Sequence, residues 1–260
     1  MLRDLVVWEP LMLKDLYLII FRMNVDILVI MAHPDDAELC CSGTILASID
    51  KGLSVGIIDL TKGELGTRGN KDIRESEANA SAKLLNIKFR KNLGFRDGFI
   101  NDDEKYIIEI IKKIRLHTPD IIITNSIKDR HPDHENTAKL VQKSCFLSGL
   151  IKYQTEYNNN IQNPHRPKIL LHSIQNDYVE PNLVVDVSDY FLKKMESVKC
   201  FKSQFFNPKS DEPESFISSK EFLEFITSRS IEMGHKIGVN HGEGFVLRQP
   251  IKINNISTII

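Results

Sequence analysis

Short apolar runs alternate with stretches of helical period along most of this chain. Val25–Met31 and Leu53–Leu60 are rich in Val, Ile and Leu and predict buried strands, with Glu38–Lys51 between them predicting a helix that ends at Gly52. The polar loop Thr61–Asn70 leads into Asp72–Asn86, whose Arg, Glu and Ala content predicts a helix, and Lys88–Leu93 predicts a short strand. Glu104–His117 predicts an amphipathic helix with Ile107, Ile108, Ile111 and Ile114 on its apolar stripe, stopped by Pro119. Asp120–Thr124 then predicts a strand and Glu135–Leu147 a helix. Strands and helices alternating at this spacing mean βαβ units and a mostly parallel, Rossmann-like α/β sheet with helices on both faces. The C-terminal part is less regular. Tyr153–Lys168 predicts a loop, Ile169–Gln175 and Leu183–Val187 strands, Tyr190–Phe201 and Ser219–Met233 helices, and Gly238–Leu247 a last strand.

Two His-Pro-Asp triplets stand just beyond two of the predicted strands. Ala32-His33-Pro34-Asp35-Asp36-Ala37-Glu38 follows Ile27–Met31, and Asp129-Arg130-His131-Pro132-Asp133-His134 follows Ile121–Thr124. An open parallel sheet keeps its active site at the carboxyl ends of its strands. Pro at a helix start with acids around it is ordinary helix-entry chemistry and accounts for Pro34, Asp35, Asp36 and Glu38 without a metal. It does not account for a histidine before Pro in both triplets, nor for His134. Histidine plus carboxylate is the ligand set of a catalytic zinc with an open position, so the pair points to a zinc hydrolase. The same donors would accept iron(II), cobalt or manganese. The residues alone leave Asp35 and Asp36 interchangeable as base and ligand.

The 260 residues suit one sizeable domain, and 42% apolar with 27% charged content is that of an ordinary globule. A net charge of −1 with scattered Lys and Arg argues against a nucleic-acid partner. Cys40, Cys41, Cys145 and Cys200 form no CxxC pair, which fits a reducing, cytoplasmic compartment. Residues 1–22 are interrupted by Trp8-Glu9-Pro10 and Lys14-Asp15, so they carry neither a signal-peptide core nor a membrane span. They read as an extension, with a mis-called start as one origin, ahead of a single domain over 23–260.

Three further segments bear on the site. Thr61–Gly69 has three glycines and Arg68, and reads either as a flexible strand-to-helix turn or as a loop that brings the Arg68 fork to a carboxylate or sugar. Leu93-Gly94-Phe95-Arg96-Asp97-Gly98 is either a surface turn or a pocket wall carrying Arg96 or Asp97. Ile237–Phe245 sets two glycines around Glu243 beside His241, as a bulged strand or a segment closing the pocket mouth.

Taken in order, these segments resemble the LmbE/PIG-L family of zinc-dependent N-acetylglucosaminide deacetylases, in particular its bacillithiol-biosynthesis branch, over nearly all of the chain beyond residue 22. The resemblance implies hydrolysis of the linear amide bond of N-acetylglucosaminyl malate, with one zinc per chain. It makes His33, Asp36 and His134 the ligands, Asp35 the general base, and His131 the group that polarises the carbonyl or protonates the amine, oriented by Asp133. Arg68 and Arg130 become substrate grips. His241 would take the place of an aromatic residue common in relatives at the substrate side. A small amino-sugar substrate, no membrane partner and a homo-oligomer, a hexamer, are also implied. The competing readings are deacetylation of another N-acetylglucosaminide, amidase action on a thiol conjugate, and a non-catalytic sugar-binding module on the same fold.

Overall fold

The computed structural model describes residues 24–255; the expected break after residue 22 lies outside them. Five parallel strands form the centre of a seven-stranded sheet: β1 (Ile27–Met31), β2 (Val55–Thr61), β3 (Phe89–Phe95), β4 (Ile121–Thr124) and β7 (Ile169–Ser173). β9 (Gly242–Leu247) runs antiparallel between β7 and β8 (Leu183–Asp186), giving the order β3-β2-β1-β4-β7-β9-β8. The helices are α1 (Asp36–Asp50), α2 (Lys71–Leu85), α3 (Glu104–His117), α4 (Pro132–Ser148), α5 (Phe191–Val198) and α6 (Lys220–Ile237).

The central strands are covered on both faces, which is why they read as continuous apolar runs instead of alternating ones. Leu28 and Ile30 point into one core with Ile107, Ile110, Ile111 and Ile114 of α3 and Leu140 and Val141 of α4. Ile27, Val29 and Met31 point into the other, against Cys41 and Ile45 of α1 and Phe245 of β9. β1 pairs with β2 on one side and β4 on the other, so the chain order reverses between β1 and β4. That switch point opens a crevice at the carboxyl ends of the two strands. Both His-Pro-Asp segments begin there.

Differences from the sequence expectations have local causes. α4 begins at Pro132, ahead of the expected Glu135, because Pro is pre-organised for the first helical position. On α3 the stripe takes in Ile110, while Ile108 is only half-buried, since i+1 lies about 100° round the helix from Ile107. α6 runs beyond Met233 to a left-handed Gly238 cap, so the last strand starts at Gly242 and not at Gly238. Within the expected loop 153–168, β5 (Glu156–Tyr157) and β6 (Asn160–Ile161) form a small hairpin. Asn158 and Asn159 turn it at φ 50° and 62°, a conformation Asn tolerates. No helix among the described residues is long and apolar enough to cross a membrane.

Candidate active site

His33 leaves the end of β1 and Asp35 precedes α1 with φ 109°, a left-handed conformation rare outside glycine. Its carboxylate caps no helix N–H. It accepts instead from Arg74 Nη2 at 2.8 Å, and the guanidinium also reaches the carbonyls of Pro34 and Gly63. Arg74, on α2, passes so close to Gly63 that a Cβ there would lie 2.1 Å from its Nη1. Gly63 of the Thr61–Gly69 loop therefore makes room for a buried arginine that fixes Asp35.

Donor groups of three residues meet in the crevice. His33 Nδ1 and His134 Nε2 are 3.3 Å apart, His134 Nε2 is 3.2 Å from Asp36 Oδ1, and His33 Nδ1 is 3.5 Å from Asp36 Oδ2. Ligands about 2.0–2.1 Å from a tetrahedral centre stand about 3.3–3.4 Å from one another, so these separations, with the Asp36 carboxylate facing one imidazole through each oxygen, have the size of a zinc-site face. His131 brings a donor nitrogen within 4.8 Å of those of His33 and His134.

The far side of each ligand is tied down. His33 Nε2 lies 3.0 Å from Asp97 Oδ1 and His134 Nδ1 lies 2.9 Å from Asp129 Oδ1. Such carboxylate–imidazole pairs fix the tautomer and turn the other nitrogen to the metal. Asp36 accepts from Asn125 Nδ2 at 3.0 Å and from Gln175 Nε2 at 2.9 Å, which hold its carboxylate plane.

The charges follow from this packing. Burial pulls the His134 imidazole down, but Asp36 and Asp129 outweigh it and raise it to about 9. Burial likewise works against a charged His33, and its bonds to Asp133, Asp36 and Asp97 still leave it well above the ordinary histidine range. Burial would raise Asp36, yet the facing imidazoles hold it well below the carboxylate range. Asp35 goes the other way. Burial lifts it to about 7 against the opposing pull of Arg74. His131 is lowered by burial and by the neighbouring imidazoles His33 and His134.

The orientation expected for His131 takes a different form. Its Nδ1 accepts the backbone N–H of Asp133 at 3.3 Å, which leaves Nε2 free. The Asp133 carboxylate accepts from the Gly98 and Ile100 N–H groups and lies 3.4 Å from His33 Nε2, so it braces the β3–α3 loop and a ligand, not His131.

A cavity of about 380 Å³ spreads from the histidines. Arg68 lines it, but its guanidinium is already engaged by Ser210 Oγ, with Glu212 at 3.7 Å. Arg130 also lines it, exposed and lying over the Phe216 ring at 4.2 Å. His241 is a correction: it stands just before β9, stacks on Phe191 with ring centroids 3.7 Å apart and is not among the lining residues, whereas Gly242–Gly244 of the strand itself are. Asp97 lines the cavity, while Arg96 folds over Phe99. Arg74, Asn125, Gln175 and Arg229 went unrecognised in the sequence. Asn125 and Gln175 had a usable signal, since each lies just past the carboxyl end of a parallel strand. Arg74, in the first turn of α2, and Arg229, in the middle of α6, had none.

Known proteins similar to this chain include several deacetylases. Residues 28–145 match the model of PIG-L, GlcNAc-PI de-N-acetylase. The uncharacterized deacetylase YaiS of Escherichia coli is 34% identical over 136 residues, 50% of this chain and 73% of the relative. The chain belongs to the PIG-L/LmbE family. It is accordingly an N-deacetylase, a hydrolase of amide C–N bonds, of a metal-dependent family. A protein of Bacillus anthracis described as probable N-acetyl-alpha-D-glucosaminyl L-malate deacetylase 2 is 28% identical over 192 residues, 69% of this chain and 81% of the relative. Among solved structures, the conserved protein TT1542 from Thermus thermophilus superposes with a TM-score of 0.79 at 31% identity, covering 89% of this chain and 98% of that one.

Proposed function

We propose that this PIG-L/LmbE chain removes the acetyl group of N-acetylglucosaminyl malate, as a zinc enzyme whose activity resides in one domain over 23–260. The observation that carries the chemistry is the triangle of His33, Asp36 and His134 donors, 3.2–3.5 Å apart, beside the buried Asp35 carboxylate. The malate reading is supported by the Bacillus relative and by the arginines at the cavity. A cation held by those three residues supplies Lewis acidity to the acyl carbonyl and lowers the pKa of water toward ~7.

The chain's own groups do the rest. Asp35, raised to about 7, is matched to take a proton from the attacking water near neutral pH. Arg74 keeps that carboxylate aimed and favours its charged form. His131 offers its free Nε2 to the amide: its lowered pKa favours the neutral ring, whose Nδ1 accepts from Asp133 and whose Nε2–H is left to polarise the acyl oxygen. The proton that Asp35 takes from water is the one the departing amine needs. The acetyl C–N bond breaks, hydroxide adds to the acyl carbon, and acetate and a free amine leave. With its cysteines as free thiols, the enzyme suits a reducing cytoplasm. The deciding assay is acetate release from N-acetylglucosaminyl malate, free N-acetylglucosamine and a mercapturate by the zinc-loaded protein. Highest kcat/KM on the malate conjugate is expected. A preference for either of the others refutes the substrate assignment, and no release from any refutes the activity.

A further inference from the structure

We infer that Arg229, on the cavity-facing side of α6, is a specificity-determining residue that binds a carboxylate on the substrate's aglycone. The inference rests on the deacetylase reading above and names a subsite within it.

Arg229 lines the cavity. Its Nη2 donates to the Asn176 carbonyl at 2.7 Å, and its guanidinium lies 4.5 Å from the Phe225 ring centroid. Its Nη1 is buried and has no hydrogen-bond partner among the described residues. No carboxylate among them forms an ion pair with it either. A desolvated guanidinium with an unused N–H is costly unless an anion completes it. Burial accordingly lowers the Arg229 pKa. The cavity is where such an anion would arrive.

The other cations divide the work. Arg68 already gives Nη2 to Ser210 and has Glu212 at 3.7 Å from Nε, so its charge is partly answered from within the chain. Arg130 is open and lies over Phe216. Phe216 packs on Phe222 at 5.7 Å and Phe222 on Phe225 at 6.1 Å, so Arg130 and Arg229 flank one aromatic wall of the cavity. Arg229 is also registered to the reacting centre. The N–H of Asn176 donates to Asp129 Oδ2 at 2.6 Å, and Asp129 Oδ1 holds His134. A carboxylate on Arg229 would thereby sit at a set distance from the scissile acetamide, and the planar fork favours a two-oxygen anion over a neutral group.

The test uses the zinc-loaded full chain and three ligands: the malate conjugate of N-acetylglucosamine, its dimethyl ester, and the neutral methyl glycoside. Binding is read by calorimetry and turnover by acetate release, for the parent, Arg229→Gln and Arg229→Lys. Arg229→Gln should weaken the malate conjugate by about 10- to 150-fold, the range for a charge-assisted hydrogen bond. Its effect on the two neutral ligands should be at least about tenfold smaller, with Arg229→Lys falling between, as charge without a fork implies. The melting temperature of Arg229→Gln without ligand should hold or rise, because a half-buried charge with no anionic partner and a buried, unbonded Nη1 has gone. Equal weakening of charged and neutral ligands, or unchanged affinity for the malate conjugate, overturns the inference. Arg229-dependent binding without acetate release would leave the subsite standing and refute the deacetylase reading instead.

Discussion

Gly63→Ala joins the loop to the chemistry. Gly63 has φ 62°, and a Cβ placed on it would meet Arg74 Nη1 at 2.1 Å and Cζ at 2.4 Å. Gly52 is the natural control: its φ is 83° and nothing lies within 4 Å of the added Cβ. Alanine at Gly52 should therefore cost only left-handed backbone strain, about 1–2 kcal/mol. At Gly63 the same strain is joined by displacement of a guanidinium whose Nη2 is 2.8 Å from the buried Asp35 carboxylate. Breaking one partner out of a buried ion pair costs about 3–5 kcal/mol, so a total of roughly 4–7 kcal/mol is expected, reduced if Arg74 keeps one of its bonds. Urea denaturation measures both variants.

Activity gives a second, independent readout. Arg74 lowers the Asp35 pKa against the burial that raises it to about 7, so withdrawing the guanidinium moves it higher still. A base must be ionised to act, and the acidic limb of kcat/KM should move to higher pH in Gly63→Ala. Where the base is mostly protonated, raising its pKa by one lowers kcat/KM about tenfold, and at pH values above the limb it changes little. The Gly52→Ala profile should keep the parental limb. Matching stability losses and identical pH profiles in the two variants would refute the idea that this glycine exists to admit Arg74.

His134→Ala should lose most of the roughly one divalent metal per chain, read by elemental analysis, since two remaining ligands seldom hold zinc tightly; unchanged stoichiometry would remove His134 from the site. Asp35→Asn should retain metal while kcat falls by about 10²–10⁴, and a variant that arrives without metal would mean that Asp35 is a ligand. Asp97→Asn, which weakens the brace on His33 Nε2 at 3.0 Å, should reduce metal affinity about 10–100-fold in a chelator competition. Because His134 holds a proton up to about 9, metal binding must release protons, and zinc affinity should rise from about pH 6 to about pH 9; a flat profile in calorimetry would argue against that imidazole as ligand.

Much of the site was legible because it is local in sequence. His33, Asp35 and Asp36 leave one strand end together, and His131, Asp133 and His134 share the start of one helix. Strand–helix alternation predicted the parallel sheet, and the order of such a sheet puts the ends of β1 and β4 side by side. Apolar runs and helix caps are properties of a few neighbouring residues, so the chain itself decides them wherever burial pattern and turn chemistry agree.

What joins distant segments was decided only by tertiary packing. Arg74 and Arg229 belonged to no motif in the sequence; docking of α2 and α6 against the cavity buries the first and half-buries the second. Arg68 resembled a free grip, and a loop some 140 residues further along the chain covers it. His241 stood beside Glu243 in sequence, yet it lies ahead of β9 and stacks on Phe191, while Glu243 turns inward to Lys194 and the middle of α1. The sequence determined which residues can ligate, take up a proton or cap a helix. Whether a charge is paired, desolvated or open to a ligand depends on neighbours brought from far along the chain, and the energies that decide it exist only once water has been excluded from the fold.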